Sequence, residues 1–186
     1  MSNIFFTADT HFGHTNIIKY SKRPFKNVNE MDEKLIENWN SVCNNDSIVY
    51  HLGDVFMGND SYFNRICDKL DFRHLYIIKG NHDKGVANWY STFKPSGVTL
   101  FNSYLETRID GQDFTLCHYA MRVWNKSHHG AYHLYGHSHG SLPDDPNSLS
   151  FDCGVDCHDY KPISLEKVKE IMKTKNFKPI DHHTNT

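Results

Sequence analysis

HLYIIKGNHD, residues 74–83, runs from an apolar segment straight into a turn of Gly, Asn, His and Asp. A short apolar run of this kind is the pattern of a buried strand. The polar residues after it are common turn formers. Alone the turn needs no function to explain it, but four other apolar runs end the same way. IFFTADTH closes on Asp9 and His11, SIVYHLGD on Asp54, TLCH on His118, and YHLYGHSH on His137 and His139. Five strands therefore deliver Asp, Asn and His at their carboxyl ends, where layered α/β folds build their sites. On an extended backbone His137 and His139 would point to opposite faces. Gly136 and Gly140 flank them and relax that rule, so the two rings can converge.

The remaining periodicity is helical or hairpin-like. VNEMDEKLIENWNSV places Met31, Leu35, Trp39 and Val42 on one face, which predicts a helix over 28–43. Phe63, Ile66 and Leu70 predict another over 62–70, and SLEKVKEIMKTK a last one with Ser164 as its N-cap. TLFNSYLETRIDGQDFTLCH predicts two strands around Asp110-Gly111, and SLSFDCGVD one more. The class is α/β, and 186 residues predict one domain (1–186) with its core over 3–175 and a loosely held tail over 176–186. His182 and His183 in that tail are expected to be exposed.

Composition narrows the function. A net charge of −2 with dispersed Lys and Arg argues against extensive nucleic-acid binding, though not against short ends. No apolar run approaches the roughly 18 residues of a membrane span. MSNIFFTADTHFG lacks the basic and apolar segments of a signal peptide, so a soluble cytoplasmic protein is expected. Five cysteines in such a chain predict free thiols, and the Cys153/Cys157 pair has no second pair to complete a zinc site. The 14 histidines stand out, because imidazole is the commonest metal ligand. The turns offer two carboxylates, one amide oxygen and four or five imidazoles. Mixed N/O donors suit borderline divalent metals, and the number fits two ions rather than one.

The ordered blocks D-x-H, G-D, G-N-H-D, H and G-H-x-H resemble the calcineurin-like metallophosphoesterase superfamily, in its compact bacterial and phage-type form. The resemblance spans residues 5–139, about three-quarters of the chain, with every block present. It implies a four-layer α/β/β/α sandwich of two mixed sheets flanked by helices, with a dinuclear metal site at the strand ends. It implies that Asp9, His11 and His139 hold one ion, that Asn81, His118 and His137 hold the other, and that Asp54 bridges. The ions would be divalent, with Mn2+ first and Fe, Zn, Ni, Co or Mg as alternatives. His82 would stabilise charge or protonate the leaving oxygen, and Asp83 would orient it.

Hydroxide generated between two dications would attack phosphorus in line. No protein nucleophile is required, in keeping with the absence of a G-x-S-x-G elbow. A Cys117–His118 nucleophilic pair is disfavoured because adjacent strand residues face opposite ways. His14 and Arg23, in the loop after the first metal block, are candidate substrate contacts, as is Arg122 beyond His118. Trp124 is expected to pack in the core and His51 to be structural. The expected function is hydrolysis of small, nucleotide-like phosphodiesters. The alternatives are a phosphomonoesterase and a non-catalytic phosphate-binding module.

Overall fold

Ile4–Thr7 (β1) opens the first sheet, in a computed structural model that describes residues 3–181. His182 and His183 lie outside the described residues. β1 pairs in parallel with Ile48–His51 (β2), which pairs in parallel with His74–Ile78 (β3) and through it with Val98–Phe101 (β4). The order is β4-β3-β2-β1, closed beyond β1 by the short antiparallel strand Ile163–Ser164 (β9). The second sheet has the order β5-β6-β7-β8, from Tyr104–Ile109, Gln112–Cys117, Tyr132–Tyr135 and Ser150–Asp152. β5 and β6 are an antiparallel hairpin turned by Asp110 and Gly111, both at positive φ, while β6, β7 and β8 run parallel. Both sheets are therefore mixed, and helices flank them, in line with the sequence expectation.

The first sheet reads as continuous apolar runs because it is buried on both faces. Phe5, Val49, Leu75 and Ile77 face one core cluster, and Phe6, Leu52 and Ile78 belong to a second. Helices Val28–Asn40 (α2), Asp60–Cys67 (α3) and Lys84–Phe93 (α4) cover the first cluster with Met31, Leu35, Trp39, Phe63, Val86 and Trp89. Asn27 caps α2 by accepting from the Glu30 amide at 3.0 Å, and Asn59 caps α3 from the Tyr62 amide at 2.9 Å. The second cluster lies between the sheets, where Phe6 stacks on Phe114 at 5.4 Å, and takes in Leu116, Leu134 and Phe151. Helix Leu165–Lys173 (α5), capped by Ser164, adds Leu165, Val168 and Met172 to it.

Three differences from the periodicity have local causes. The segment after the first metal block contains a short helix, Thr15–Tyr20 (α1), which buries only Ile17. α4 carries Gly85 in its first turn and only two buried side chains, so its helical period is faint. Val98–Phe101 is not part of the hairpin it precedes; it joins the first sheet at the edge. From Asn176 onward the chain runs beside the 142–149 loop, with the Asn176 and Lys178 amides donating to the Pro146 and Asn147 carbonyls at 2.7 and 2.9 Å. No helix among the described residues is long and apolar enough to cross a membrane.

Candidate metal centre

The turns after β1, β2, β3, β6 and β7 all meet at one place. Asp9, His11 and His139 form one group whose ligand atoms lie within 4.8 Å of one another, and Asp54, His118 and His137 form a second. Asp54 stands between them, with Oδ2 3.6 Å from Nε2 of His11 and 3.4 Å from Nε2 of His118. Asn81 Oδ1 lies 3.1 Å from the same His118 nitrogen. The structure thus brings together all seven residues expected as ligands. Each group draws on both sheets.

Convergence is achieved by backbone strain. Asp9, His11, Asp54, His137 and His139 have φ of 57°, 51°, 56°, 67° and 47°. Non-glycine residues seldom adopt this left-handed region, and each instance costs on the order of 1–3 kcal/mol. The freedom expected of the glycines is used at Gly140, with φ 75°, and the ligands themselves adopt the same region. Gly136 does something else: a Cβ there would lie 2.5 Å from Asp9 Oδ2. Glycine there admits the backbone so closely that the His137 amide donates to Asp9 Oδ2 at 2.8 Å. On the other side, the His82 amide donates to Asp54 Oδ1 at 2.9 Å. Each carboxylate is held by one oxygen, which leaves the other for the centre.

The free atoms show what the centre lacks. Asp9 Oδ1 and His11 Nε2 are buried with no hydrogen-bond partner among the described residues. An unpaired buried polar atom is costly, and two facing the same point call for a cation. Burial pushes the Asp9 carboxyl up to about 7, although His139 and His118 oppose it, and drives the His11 imidazole down to about 2. Asp54 differs: burial alone would raise it, but His118, the His82 amide and His11 together hold it at about 2. Neutral imidazoles and carboxylates in this mixture fit divalent metals of the borderline class.

The other expected site residues divide. His82 is exposed, its ring 5.7 Å from that of His11 and 6.2 Å from that of His14. Asp83 does not orient that ring. Its buried carboxylate accepts from the amides of Asp54, Gly80 and Val55 at 2.7, 2.7 and 2.9 Å, tying the turn after β3 to the turn after β2. His14 does border the centre, with Nδ1 3.2 Å from Nδ1 of His11. Arg23 does not face a substrate: its side chain has no exposed surface and is paired with Asp156. Exposed Arg122 also stands apart, lining a cavity of about 340 Å³ with Met121, Trp124, Leu142 and Phe177 and none of the metal-ligand candidates. His51 is buried, with Nε2 2.9 Å from the Thr10 hydroxyl, and Trp124 is buried with its Nε1 donating to the Ala131 carbonyl at 3.0 Å. Cys153 and Cys157 are free thiols.

Sequence reasoning missed Asp156, whose Oδ2 lies 2.7 Å from Nδ1 of His139. No periodic or motif signal marks it, because its partners are distant in the chain. It also missed Tyr119, whose ring lies 4.8 Å from that of His137 and is 44% exposed.

Comparison with known proteins agrees with this geometry. The chain is 34% identical over 179 residues to the uncharacterized protein MJ1445 of Methanocaldococcus jannaschii, covering 93% of each. It is 34% identical over 87 residues to the Gene 66 protein of Mycobacterium phage L5, covering 45% of this chain and 41% of that one. A crystal structure of a protein of unknown function from Aquifex aeolicus, AQ665, shares the fold with a TM-score of 0.68 at 22% identity, over 90% of this chain and 98% of that one. The family model for the calcineurin-like phosphoesterase superfamily domain matches residues 3–151, and the chain belongs to that superfamily.

Proposed function

We propose that this protein is a metal-dependent phosphoesterase that hydrolyses phosphodiester bonds in small, nucleotide-like substrates. The observation that carries the proposal is Asp54 Oδ2, shared at 3.6 and 3.4 Å between histidines of two separate ligand groups. Asp9, His11 and His139 would hold one divalent ion, Asn81, His118 and His137 the other, and Asp54 would bridge, with manganese the first candidate. When bound, such a pair supplies Lewis-acid polarisation of the phosphoryl oxygens and activates water near neutral pH.

The chain's own residues do the rest. His82 stands exposed at the rim beside His11, where an imidazole can give a proton to the leaving oxygen. Asp83 fixes the turn that presents it, through the amides of Gly80 and Asp54. Two exposed rings border the groups: Tyr119 against His137, and Tyr20 against His14 at 6.4 Å. Tyr119 beside the second group, and Tyr20 reached from the first through His14, offer stacking faces to planar substituents on either side of a phosphate. This favours a nucleoside diester over a simple monoester.

The test compares turnover of bis-p-nitrophenyl phosphate and p-nitrophenyl phosphate by the manganese-loaded protein, with and without chelator. The expected result is a preference for the diester that chelation abolishes. A preference for the monoester would instead make the protein a phosphomonoesterase.

A further inference from the structure

Arg23 and Asp156, 133 residues apart, form a buried forked ion pair, with Nε donating to Oδ1 and Nη2 to Oδ2, each at 2.8 Å. The same Oδ2 meets Nδ1 of His139 at 2.7 Å. The guanidinium also donates to main chain at the first ligand turn, Nη2 to the Asp9 carbonyl at 2.6 Å and Nη1 to the Thr10 carbonyl at 3.0 Å, while Nη1 meets the Met31 sulfur at 3.4 Å. One fully buried side chain thus touches the backbone at Asp9 and, through Asp156, the ring of His139.

We infer that Arg23 and Asp156 are positioning residues for one of the two cation positions only, a clamp that fixes His139 with Nε2 aimed at the ion and locks the Asp9 turn beneath it. The inference rests on the two-ion reading above. A carboxylate on Nδ1 sets the tautomer and ring angle of a ligating histidine and strengthens it as a donor. The Arg23 guanidinium balances the charge of that carboxylate at 2.8 Å, so the clamp adds no net charge to the centre. The second position is supported differently. There Nδ1 of His118 meets only the Leu52 carbonyl, at 2.8 Å. Fold stability is a weak reason for the pair, because desolvation offsets most of what a buried ion pair gains.

Calorimetric titration of chelator-treated protein with Mn2+ reads both positions. Asp156→Asn should weaken one binding event about 10–100-fold, as loss of a ligating histidine's outer partner does, and leave the other unchanged. If Asp156 acts through His139, the substitution adds nothing in a His139→Ala background and keeps its full effect in a His137→Ala background. Equal weakening of both events, a full effect without His139, or wild-type affinity at both positions each overturns the clamp. A second measurement needs no variant. In the zinc-loaded wild-type protein, nitrogen NMR should show His139 protonated at Nδ1 and ligating through Nε2; ligation through Nδ1 overturns the inference. If the wild-type protein binds no metal, the two-ion reading fails instead, so the two failures are distinguishable.

Discussion

The two sheets end on the same centre but are finished differently on the faces turned away from each other. The first packs Phe5, Val49, Leu75 and Ile77 against helices that bring Met31, Trp39, Phe63 and Trp89, a mainly apolar contact with buried His51 at the end of β2 beside the centre. In the second, Thr115 and His133 alternate with the inward Leu116 and Leu134, and both are buried. His133 there is held by directional bonds, with Nδ1 3.0 Å from the Thr115 carbonyl and Nε2 accepting from the Met121 amide at 3.1 Å. Burial of apolar area is indifferent to pH, whereas a buried imidazole is not. Both sheets carry a buried imidazole, His51 beside the centre in the first and His133 away from it in the second. The centre links them, because each ligand group takes donors from turns of both sheets.

The largest effect should come from breaking that link. Asp54→Ala removes the carboxylate between the groups, and metal analysis after desalting should fall from two ions per chain to none. The variant should also lose metal-dependent stabilisation, which for wild type at 100 times Kd is about 2.7 kcal/mol per site, read as the shift in Tm on adding manganese. Two ions retained in the variant would refute the bridge and the idea that metal joins the sheets.

His82→Ala should act on chemistry alone. The ring touches neither core, so both ions and the Tm should be kept, while kcat falls by roughly 10²–10⁴-fold, as for a lost general acid. A substrate with a poor leaving group is the right probe, because nitrophenolate departs without a proton. Wild-type rates on such a substrate would remove His82 from the mechanism.

The contrast between the sheets also marks what could be read in advance. Strands β1, β2 and β3 of the first sheet were legible because burial on both faces leaves continuous apolar runs, and each of these runs ended in a motif block. The ligand set was legible for the same reason: Asp9, Asp54, Asn81, His118 and His139 sit at strand ends, where position follows from local sequence. Contacts made across the fold were not. Arg23 looked like a surface cation beside the site, and only the approach of Asp156 shows it to be buried. Asp83 looked like the partner of its neighbour His82, yet its carboxylate turns to three amides that the fold brings to it. The expected laxity of GHSH was placed in its glycines; Gly140 does take positive φ, but so do His137 and His139, a strain that the assembled site explains.

The smallest effect sharpens the comparison from the side of the second sheet. Burial drives the His133 pKa down to about 4, against the opposing pull of the Thr115 carbonyl. Both ring nitrogens suit the neutral form, since Nδ1 donates to Thr115 while Nε2 accepts from Met121; a proton on Nε2 would face the Met121 N–H. The ring also lies against Trp124 and Tyr135 at 5.2 and 5.5 Å, neither of which offers it a negative charge near neutral pH. The folded pKa is below the ordinary value, so the unfolded chain binds the proton first. The contribution is complete above about pH 6.5 and is lost as pH falls towards 4, reaching on the order of 2 kcal/mol at pH 5. Ligand protonation also weakens the fold in acid, so the quantity to measure is the stability difference between wild type and His133→Gln, with chelator present, at pH 7.5 and pH 5. That difference should shrink by the stated amount in acid. If it does not change, His133 carries no proton linkage.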